Sequence, residues 1–194
     1  MKNVLISGGA GFIGSNLALQ LKNCGYNVTV LDNLSKQIHG ENPERDSYLF
    51  QKIQGEIEFI KGDVTQKEDW KKAISGKDII IHLAAETGTG QSMYEVSNYV
   101  KTNILGTSQL LEVLMSEKTS IKKIILASTR AVYGEGKYEN AEGEICYPNH
   151  RNYDQMSNGK FEIYIENEIL KAVPTDENSA IHPSSIYGIT KFNQ

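Results

Sequence analysis

The chain has 194 residues, of which 39% are hydrophobic and 23% are charged, a composition too apolar for a disordered protein. Its 20 basic and 24 acidic side chains leave a net charge of −4, which argues against a nucleic-acid partner. The longest mostly apolar stretch, 79–85, is far too short to cross a membrane, and two cysteines suit a reducing compartment. These features predict a soluble cytoplasmic protein of one domain, or one and a fraction.

The first two-thirds of the chain alternates short strand-like runs with longer helical patterns, as βαβ units and a parallel sheet do. Gly25 is placed to end the first helix, and Thr65 is expected to begin the third in a capping box with Glu68. The predicted strands are 4–7, 27–31, 57–61, 78–83 and 123–127, and the predicted helices are 12–24, 43–53, 65–74 and 96–116.

A polar, tyrosine-rich and irregular insertion follows at 134–174. Within it, the runs 161–165 and 168–173 flank Glu166 and Asn167, which predicts a β-hairpin because Asn tolerates the positive φ of a two-residue turn. Irregular chain of this length inside a compact domain is often functional. The final eight residues have the pattern of the first turns of another helix.

Three glycines form a GxxGxxG turn between the first strand and the first helix. Gly8 permits a tight turn, Gly11 lets the backbone approach a pyrophosphate, and Gly14 lets the helix pack on the strand. The helix begins at Phe12 and Ile13, where free N–H groups and the positive end of the helix dipole favour phosphate. Glycine turns are common, but this one follows a strand and opens a helix, which predicts a dinucleotide site.

Asp32 lies at the end of the second strand, eighteen residues after Gly14, where a carboxylate accepts both hydroxyls of adenosine ribose. It would repel a 2′-phosphate, so NAD is favoured over NADP; the alternative is an aspartate that caps a loop. Asp63 and Val64 are placed to flank the adenine, with Asp63 accepting the exocyclic amine, although a turn aspartate is nearly as good an explanation. The small residues where the cofactor would cross the sheet edge are Leu83, Ala84 and Ala85.

Histidines and cysteines do not suggest a metal site. Cys146 and His150 are four residues apart, and His182 follows later, but a structural metal site needs four ligands and no second pair exists. His82 lies in an apolar strand and is expected to be a hydrogen-bonded core histidine. No metal is therefore predicted.

Tyr187 and Lys191 form a YxxxK motif. On a helix, positions i and i+4 share a face, so the phenol and the ammonium project into the same volume. Tyrosine has a pKa near ~10 in water, and a neighbouring cation favours the phenolate, which gives a base usable near neutral pH. The spacing is common by chance. Combined with a nucleotide fold and the hydroxyls of Ser128 and Thr129 after the fifth strand, it predicts a catalytic site.

In this order, the motifs resemble the extended short-chain dehydrogenase/reductases that act on nucleotide sugars. The resemblance implies that Tyr187 is the catalytic acid/base, that Lys191 binds the nicotinamide ribose, and that Thr129 hydrogen-bonds the reacting sugar hydroxyl. It also implies that Asn103 supports the cofactor site and that Ser128 lies beside it. The matching segments are 8–15, 32–33, 63–64, 83–85, Asn103 with 106–107, 128–134 and 187–191.

The same resemblance narrows the reaction. Family members that dehydrate the sugar have an acidic pair directly after the catalytic threonine, whereas this chain has Arg130 and Ala131, which cannot protonate a leaving hydroxyl. An epimerase, a decarboxylase and a reductase remain. A narrower similarity to dTDP-L-rhamnose 4-epimerases implies an NAD-dependent 4-epimerase that forms a transient 4-keto sugar on a dTDP-6-deoxyhexose. This similarity rests on the segments 33–35, 39–43, 84–95 and 173–177.

Several alternatives stay open. Within the family these are a UDP-hexose 4-epimerase and a nucleotide-sugar decarboxylase or reductase. From another class, a non-catalytic dinucleotide-binding module would fit the glycine turn, although Tyr187, Lys191 and Thr129 are all present.

In this family, the helix that carries the YxxxK motif leads to a sixth strand and then to most of the nucleotide-sugar-binding region. With the helix at 96–116 it commonly forms a dimer interface. The resemblance therefore implies that 1–194 is an incomplete NAD-binding Rossmann domain, truncated after the fifth strand and carrying the 134–174 insertion. The C-terminal substrate-binding region would be absent, the fragment itself inactive, and the full-length protein a homodimer.

Overall fold

The computed structural model of the chain describes residues 2–165 and 168–194, which divide into two compact units. None of the helices in these ranges has the length and apolar character needed to cross a membrane. Unit 1 comprises 2–86, 97–127 and 194, and unit 2 comprises 87–96 and 128–193.

Unit 1 contains a parallel sheet of five strands in the order β3-β2-β1-β4-β5. The chain moves outward from β1 to β3 and then returns to the other side of β1, which makes β1 and β4 the point where the strand order reverses. This is the doubly wound Rossmann order, as predicted. The strands are β1 (Asn3–Ser7), β2 (Asn27–Asp32), β3 (Glu58–Lys61), β4 (Ile79–His82) and β5 (Lys123–Leu126).

Helices are present in all the regions predicted to be helical, and three further short helices, Lys36–His39, Thr89–Ser92 and Tyr153–Ser157, are not among the predictions. The last helix, α10, was predicted from 187 and begins one residue earlier. In chain order the helices are α1 (Phe12–Asn23), α2 (Lys36–His39), α3 (Pro43–Asp46), α4 (Tyr48–Ile53), α5 (Lys67–Ile74), α6 (Thr89–Ser92), α7 (Val96–Tyr99), α8 (Gly106–Ser116), α9 (Tyr153–Ser157) and α10 (Ile186–Asn193).

The core of unit 1 consists of two apolar clusters, in keeping with a sheet covered on both faces. Alternate residues of β1 enter different clusters, because successive side chains of a strand point to opposite faces: Val4 and Ile6 join one and Leu5 the other. Trp70 is fully buried in the second cluster, where its indole N–H donates to the carbonyl of Val64 over 2.7 Å. The strands thereby hold their carboxyl ends at one edge of a rigid sheet.

The predicted helix 43–53 is two helices. Ser47 has extended backbone angles (φ −101°, ψ 100°), and its hydroxyl accepts from the N–H of Phe50 over 3.2 Å. A serine in this conformation starts a new helix by capping it, so α3 ends where α4 begins. The loop before α3, where no helix is predicted, contains the single turn α2.

The capping box predicted at Thr65 is wrong. The helix begins at Lys67 after Gln66, which makes no side-chain cap among the described residues. The N–H of Thr65 donates instead to Asp63 over 2.8 Å, and Asp69 accepts from the N–H of Asp63 over 2.9 Å. In a capping box the N–H of Thr65 would donate to the carboxylate of Glu68. Asp63 takes that donor instead, so the box cannot form.

The helix predicted over 96–116 is continuous but not uniform. Its middle, Val100–Leu105, is a π-helical turn between α7 and α8. Such turns insert an extra residue into a helix and frequently occur at functional sites. Here the turn contains Asn103, which is fully buried.

Unit 2 contains the polar insertion and is built from short elements. A small apolar cluster of Tyr138, Ile163 and Leu170 packs with Cys146. The predicted hairpin is present with shorter strands, β8 and β9, whereas its expected turn residues Glu166 and Asn167 lie outside the described residues. The strands are β6 (Tyr138–Glu139), β7 (Ile145–Cys146), β8 (Tyr164–Ile165), β9 (Glu168–Ile169) and β10 (Lys171–Ala172), with β6, β7 and β10 in one antiparallel sheet.

Candidate functional site

The glycine turn between β1 and α1 is packed too closely for side chains at two of the predicted positions. Gly8 has φ 70°, and a Cβ there would lie 2.6 Å from the backbone nitrogen of Ala84. A Cβ on Gly14 would lie 2.5 Å from the carbonyl oxygen of Gly8. Gly9 is equally restricted, since its Cβ would lie 2.5 Å from the side chain of Val30. Sequence reasoning overlooked Gly9, although it stands inside the motif.

Gly11 differs from its neighbours because a Cβ there would meet its nearest atom, the Gly8 carbonyl oxygen, at an ordinary 3.4 Å. It precedes α1, which within residues 2–165 has no side-chain cap and no acidic residue in its first turn. Phe12 and Ile13, the first helical residues, are exposed. An uncapped N-terminus of this kind offers unpaired N–H groups and a positive dipole end, so it suits a phosphate.

Asp32 ends β2 with a side chain that is only 9% exposed. One carboxylate oxygen accepts from the N–H of Ala10 over 3.0 Å and the other from the N–H of Leu34 over 2.9 Å. Burial raises the pKa of this carboxyl above its ordinary value, while the two backbone hydrogen bonds and the nearby imidazole of His39 act against the rise. The carboxylate is thus held in one orientation by the turn before α1 and the loop after β2.

Asn33 and Asp63 meet across the ends of β2 and β3, where the amide of Asn33 donates to Asp63 over 3.3 Å. Partial burial raises the pKa of Asp63, but hydrogen bonds from Thr65 and Asn33 and the charge of Lys101 bring it below the usual range. Asp63 is therefore an anion at neutral pH. Val64 is buried and contributes packing at this point.

The segment after β4 contacts the glycine turn on one side and the π-helical turn on the other. The N–H of Leu83 donates to the carbonyl of Ser7 over 2.9 Å, and Ala84 lies against Gly8. The amide of Asn103 binds both backbone groups of Glu86, accepting from its N–H over 2.8 Å and donating to its carbonyl over 3.1 Å. Asn103 thus fixes the chain directly after Ala85.

His82 is a core histidine, as predicted. Its Nδ1 lies 2.5 Å from the hydroxyl of Ser7, and its Nε2 lies 3.1 Å from that of Thr107. No group of three or more metal-binding side chains occurs among the residues that the structure describes.

A cavity of about 500 Å³ lies beside the loop that follows β2. Its wall includes Asn33, Ser35 and Lys36, together with Lys61 at the end of β3 and Glu86 after β4. It therefore opens at the carboxyl edge of the sheet, where open α/β folds bind ligands.

In unit 2, Thr129 begins a single 3-10 turn, Arg130–Tyr133, by accepting from the N–H of Ala131 over 3.2 Å. Ser128 precedes it and is exposed. Helix α10 packs on this turn so closely that a Cβ on Gly188 would lie 2.7 Å from the carbonyl oxygen of Ala131. The structure thus brings the segment with Thr129 and the helix with the YxxxK motif together.

Two serines hold the start of α10. The hydroxyl of Ser92 accepts from the N–H of Tyr187 over 3.0 Å and donates to the carbonyl of Thr89 over 2.6 Å, which ties α10 to α6. The hydroxyl of Ser185 accepts from the N–H of Gly188 over 3.0 Å. Sequence reasoning did not single out Ser92, because its partner is 95 residues away.

Tyr187 and Lys191 lie one turn apart on α10. Lys191 is only 7% exposed, and this burial lowers the pKa of its ammonium to about 8, because a charged group loses hydration in the interior. A lysine of this kind gives up its proton near neutral pH far more readily than an exposed one.

The comparisons with known proteins agree with this architecture. A dTDP-L-rhamnose 4-epimerase of Burkholderia thailandensis is 37% identical over 196 aligned positions, covering all of this chain and 52% of that protein. The UDP-glucose 4-epimerase of Thermotoga maritima, solved with UDP-glucose, superposes with a TM-score of 0.68 at 30% identity over 98% of this chain and 48% of its own. That of Brucella ovis, solved with NAD, gives a TM-score of 0.68 at 26% identity over 99% and 45%.

The chain thus spans about half the length of these relatives. The sequence profile of the NAD dependent epimerase/dehydratase family matches residues 4–156, which is most of the chain. The resemblance to extended short-chain dehydrogenase/reductases is confirmed. The chain belongs to the NAD dependent epimerase/dehydratase family.

Proposed function

We propose that this chain is part of an NAD-dependent nucleotide-sugar 4-epimerase that acts through a transient 4-keto sugar. The observation that carries the proposal is the arrangement of α10, which presents Tyr187 and Lys191 one turn apart and packs on the turn that Thr129 begins. A tyrosine, a lysine and a hydroxyl are the groups that proton exchange with a sugar alcohol requires.

NAD fits the residues of unit 1. The glycine turn excludes side chains at Gly8 and Gly14, Gly11 leaves room for a pyrophosphate, and the N-terminus of α1 is uncapped within residues 2–165. Asp32 would accept the adenosine ribose hydroxyls, and Asp63 would accept the adenine amine. When bound, the cofactor supplies the site that takes up hydride from sugar C4 and returns it.

The remaining cofactor contacts are proposed from their places in the chain. Phe12 and Ile13 offer backbone N–H groups, Asn33 and Val64 border the adenosine, and Leu83, Ala84 and Ala85 line the sheet edge. Asn103 holds that edge in place through Glu86. Ser128 lies beside the cofactor, and Tyr187 and Lys191 complete the set.

The chain's own part in the chemistry is proton transfer. Tyr187 removes the proton of the sugar 4-hydroxyl and returns it after the 4-keto sugar has turned its other face. Lys191 supplies positive charge that favours the phenolate, and Thr129 hydrogen-bonds the reacting oxygen. Arg130 and Ala131 provide no acid for dehydration, which favours epimerisation over loss of water.

For the substrate, we propose a dTDP-6-deoxyhexose such as dTDP-L-rhamnose. The support is the alignment with the Burkholderia enzyme, which is 37% identical and covers the whole chain. A UDP-hexose 4-epimerase is the alternative, favoured by the structural similarity to enzymes that act on UDP-glucose.

We also propose that 1–194 is the main part of the NAD-binding domain of a longer, cytoplasmic, homodimeric protein and is inactive alone. The support is the exposure of apolar side chains that a sheet interior and a dimer would cover. Ile124, Ile125 and Leu126 of β5 are each about 40% exposed, and Leu111 and Met115 of α8 are also exposed. The rest of the protein would then supply most of the sugar-nucleotide contacts.

The test uses the full-length protein with dTDP-L-rhamnose, UDP-glucose and a UDP-uronic acid, with products identified by NMR. We expect inversion at C4 of the dTDP sugar; inversion of UDP-glucose alone would favour the alternative, and loss of carbon dioxide would indicate a decarboxylase. If NAD is bound but no sugar nucleotide shows an epimer or a 4-keto product, the epimerase proposal is wrong. Binding of NAD with no sugar product and no reduced-nicotinamide absorbance on adding sugars would indicate a non-catalytic module.

A further inference from the structure

The loop 33–47, which follows Asp32, contains the buried residue His39 next to the carboxylate of Asp32. His39 is the last residue of α2 and is 3% exposed, and its Nε2 lies 3.9 Å from the nearer oxygen of Asp32. This is within ion-pair range but too long for a hydrogen bond. Among the described residues, His39 is the one basic side chain within 4.0 Å of this carboxylate.

The other side of the imidazole is fixed by Ser47. Its hydroxyl lies 2.7 Å from Nδ1 of His39 and accepts from the N–H of Phe50 over 3.2 Å. Both residues are buried, at 3% and 4% exposure. A row of polar groups therefore runs from the start of α4, through a hydroxyl and an imidazole, to the carboxylate that ends β2.

The chemistry of this row favours one tautomer. With the proton on Nε2, the ring turns an N–H toward Asp32, and Nδ1 accepts from the hydroxyl of Ser47. The opposite tautomer would turn a lone pair toward a carboxylate, which is repulsive. Burial lowers the pKa of His39, so the ring is neutral at neutral pH although the charge of Asp32 acts against that fall.

The loop is built to keep His39 in this place. Leu34 adopts a left-handed conformation (φ 55°), which turns its N–H onto Asp32 and places its side chain in the core. Gly40 has φ 74°, and a Cβ there would lie 2.9 Å from Asp46. The N–H of His39 donates to the carbonyl of Ser35 over 2.9 Å. The chain is therefore held before α2 by the hydrogen bond of Leu34 to Asp32, and after α2 by the close packing of Gly40 on Asp46.

We propose that His39, held by Ser47, is a positioning residue that keeps Asp32 oriented and ionised and thereby sets the preference for NAD over NADP. The inference rests on the proposed cofactor site, in which Asp32 accepts the ribose hydroxyls. Without the imidazole, the buried carboxylate loses the N–H dipole that faces its nearer oxygen and stabilises the anion. A protonated or rotated carboxyl binds the ribose less well and repels a 2′-phosphate less.

The test compares His39→Leu with the conservative His39→Gln, which keeps an N–H near the position of Nε2. Dissociation constants for NAD and NADP are measured by calorimetry on cofactor-stripped full-length protein. For His39→Leu, we expect NAD affinity to fall about tenfold and NADP affinity to fall much less. His39→Gln should restore most of the wild-type ratio of NAD affinity to NADP affinity. His150 is an exposed histidine of unit 2, and His150→Leu serves as the matched control.

A purely structural role would lower both affinities equally, and that result would overturn the proposal. Substitutions of Ser47 give an independent test. Ser47→Thr keeps the hydroxyl that caps α4 and should leave the ratio of NAD to NADP affinity unchanged. Ser47→Ala should shift this ratio in the same direction as His39→Leu.

A second measurement does not depend on dinucleotide binding. Solid-state NMR of histidine-labelled full-length protein reports the tautomer of His39, identified by the signal lost in His39→Gln. We expect a neutral ring protonated on Nε2, and protonation on Nδ1 alone would contradict the proposal. If the wild-type protein bound neither dinucleotide, the proposed function would fail, and this tautomer would still decide whether the polar row exists.

Discussion

The turn after β1 and the helix α10 are made in opposite ways. Around Gly8 and Gly14 the atoms proposed to bind the cofactor belong to the backbone, and these positions have no room for a side chain. On α10 the atoms proposed to act are in the side chains of Tyr187 and Lys191, which the helix holds one turn apart. We therefore expect the glycine turn to be disrupted by added side-chain atoms, and the proposed chemistry of α10 to be lost when side-chain atoms are removed.

This difference separates effects on folding from effects on chemistry. Adding a methyl group at Gly8 or Gly14 forces the backbone of unit 1 apart. Removing one oxygen from α10 leaves the packing of unit 2 as it is. Substitutions in the two regions should therefore give different combinations of stability, cofactor affinity and turnover, in the full-length protein.

The largest effect is expected from Tyr187→Phe. Loss of the phenolic oxygen removes the proposed acid/base, so turnover should fall about a thousandfold, whereas NAD affinity and thermal stability should change far less. Turnover is followed by NMR of the sugar nucleotide. Tyr153→Phe, an exposed tyrosine in the same unit, is the control. Full activity of Tyr187→Phe would show that Tyr187 is not the catalytic acid/base.

Gly14→Ala should be the most destabilising change in the glycine turn. Its Cβ would lie 2.5 Å from a backbone oxygen, so helix and strand must separate, at a cost of about 3 kcal/mol in the free energy of unfolding. Gly25→Ala is the matched control: it has φ 84° but nothing within 4 Å, and should cost about 1 kcal/mol through backbone strain alone. Urea denaturation measures both, and equal losses would contradict the close packing.

Burial of Lys191 makes stability depend on pH. The folded protein releases this proton near pH 8, whereas the unfolded chain keeps it to about pH 10.4. The unfolded state binds more protons in that window, so the stability of the wild type relative to Lys191→Met should rise with pH between these values, by roughly 1–2 kcal/mol. Urea denaturation at pH 7.5 and 9.5 checks this. Lys160→Met, at an exposed lysine, is the control variant.

The smallest effect on stability is expected from Gly11→Ala, which separates cofactor binding from folding within the glycine turn. Its Cβ meets its nearest atom at 3.4 Å, so the free energy of unfolding should change by less than about 1 kcal/mol. The methyl group would face the proposed pyrophosphate, so NAD affinity should fall about tenfold. Calorimetry and urea denaturation separate the two quantities. If NAD affinity were unchanged, the pyrophosphate would not bind next to Gly11.

Local patterns predicted much of this molecule. The five strands, α1, Gly25 at its end and the spacing of Tyr187 and Lys191 depend on periodicity and on single residues whose conformations are restricted. These features were predicted to within one or two residues at most positions. The resemblance to the family added roles for Thr129, Asn103 and Ser128, which remain proposals.

The errors share a physical cause, namely competition between neighbouring polar groups. The capping box at Thr65 fails because Asp63 takes the N–H of Thr65, and Asp69 takes the N–H of Asp63. The helix 43–53 divides because the hydroxyl of Ser47 caps a new turn. Sequence spacing shows which groups are able to bond, but not which bond is the stronger.

By itself, the sequence determined the five strands of unit 1, the glycine turn and the residue types available for chemistry, because these follow from backbone preferences over a few positions. Only the tertiary structure decided that Ser92 holds α10 from 95 residues away and that the amide of Asn103 holds Glu86. It also decided that His39 lies beside Asp32 and that Lys191 is buried enough to lower its pKa. Burial and long-range hydrogen bonds depend on packing between distant segments, which no local pattern contains.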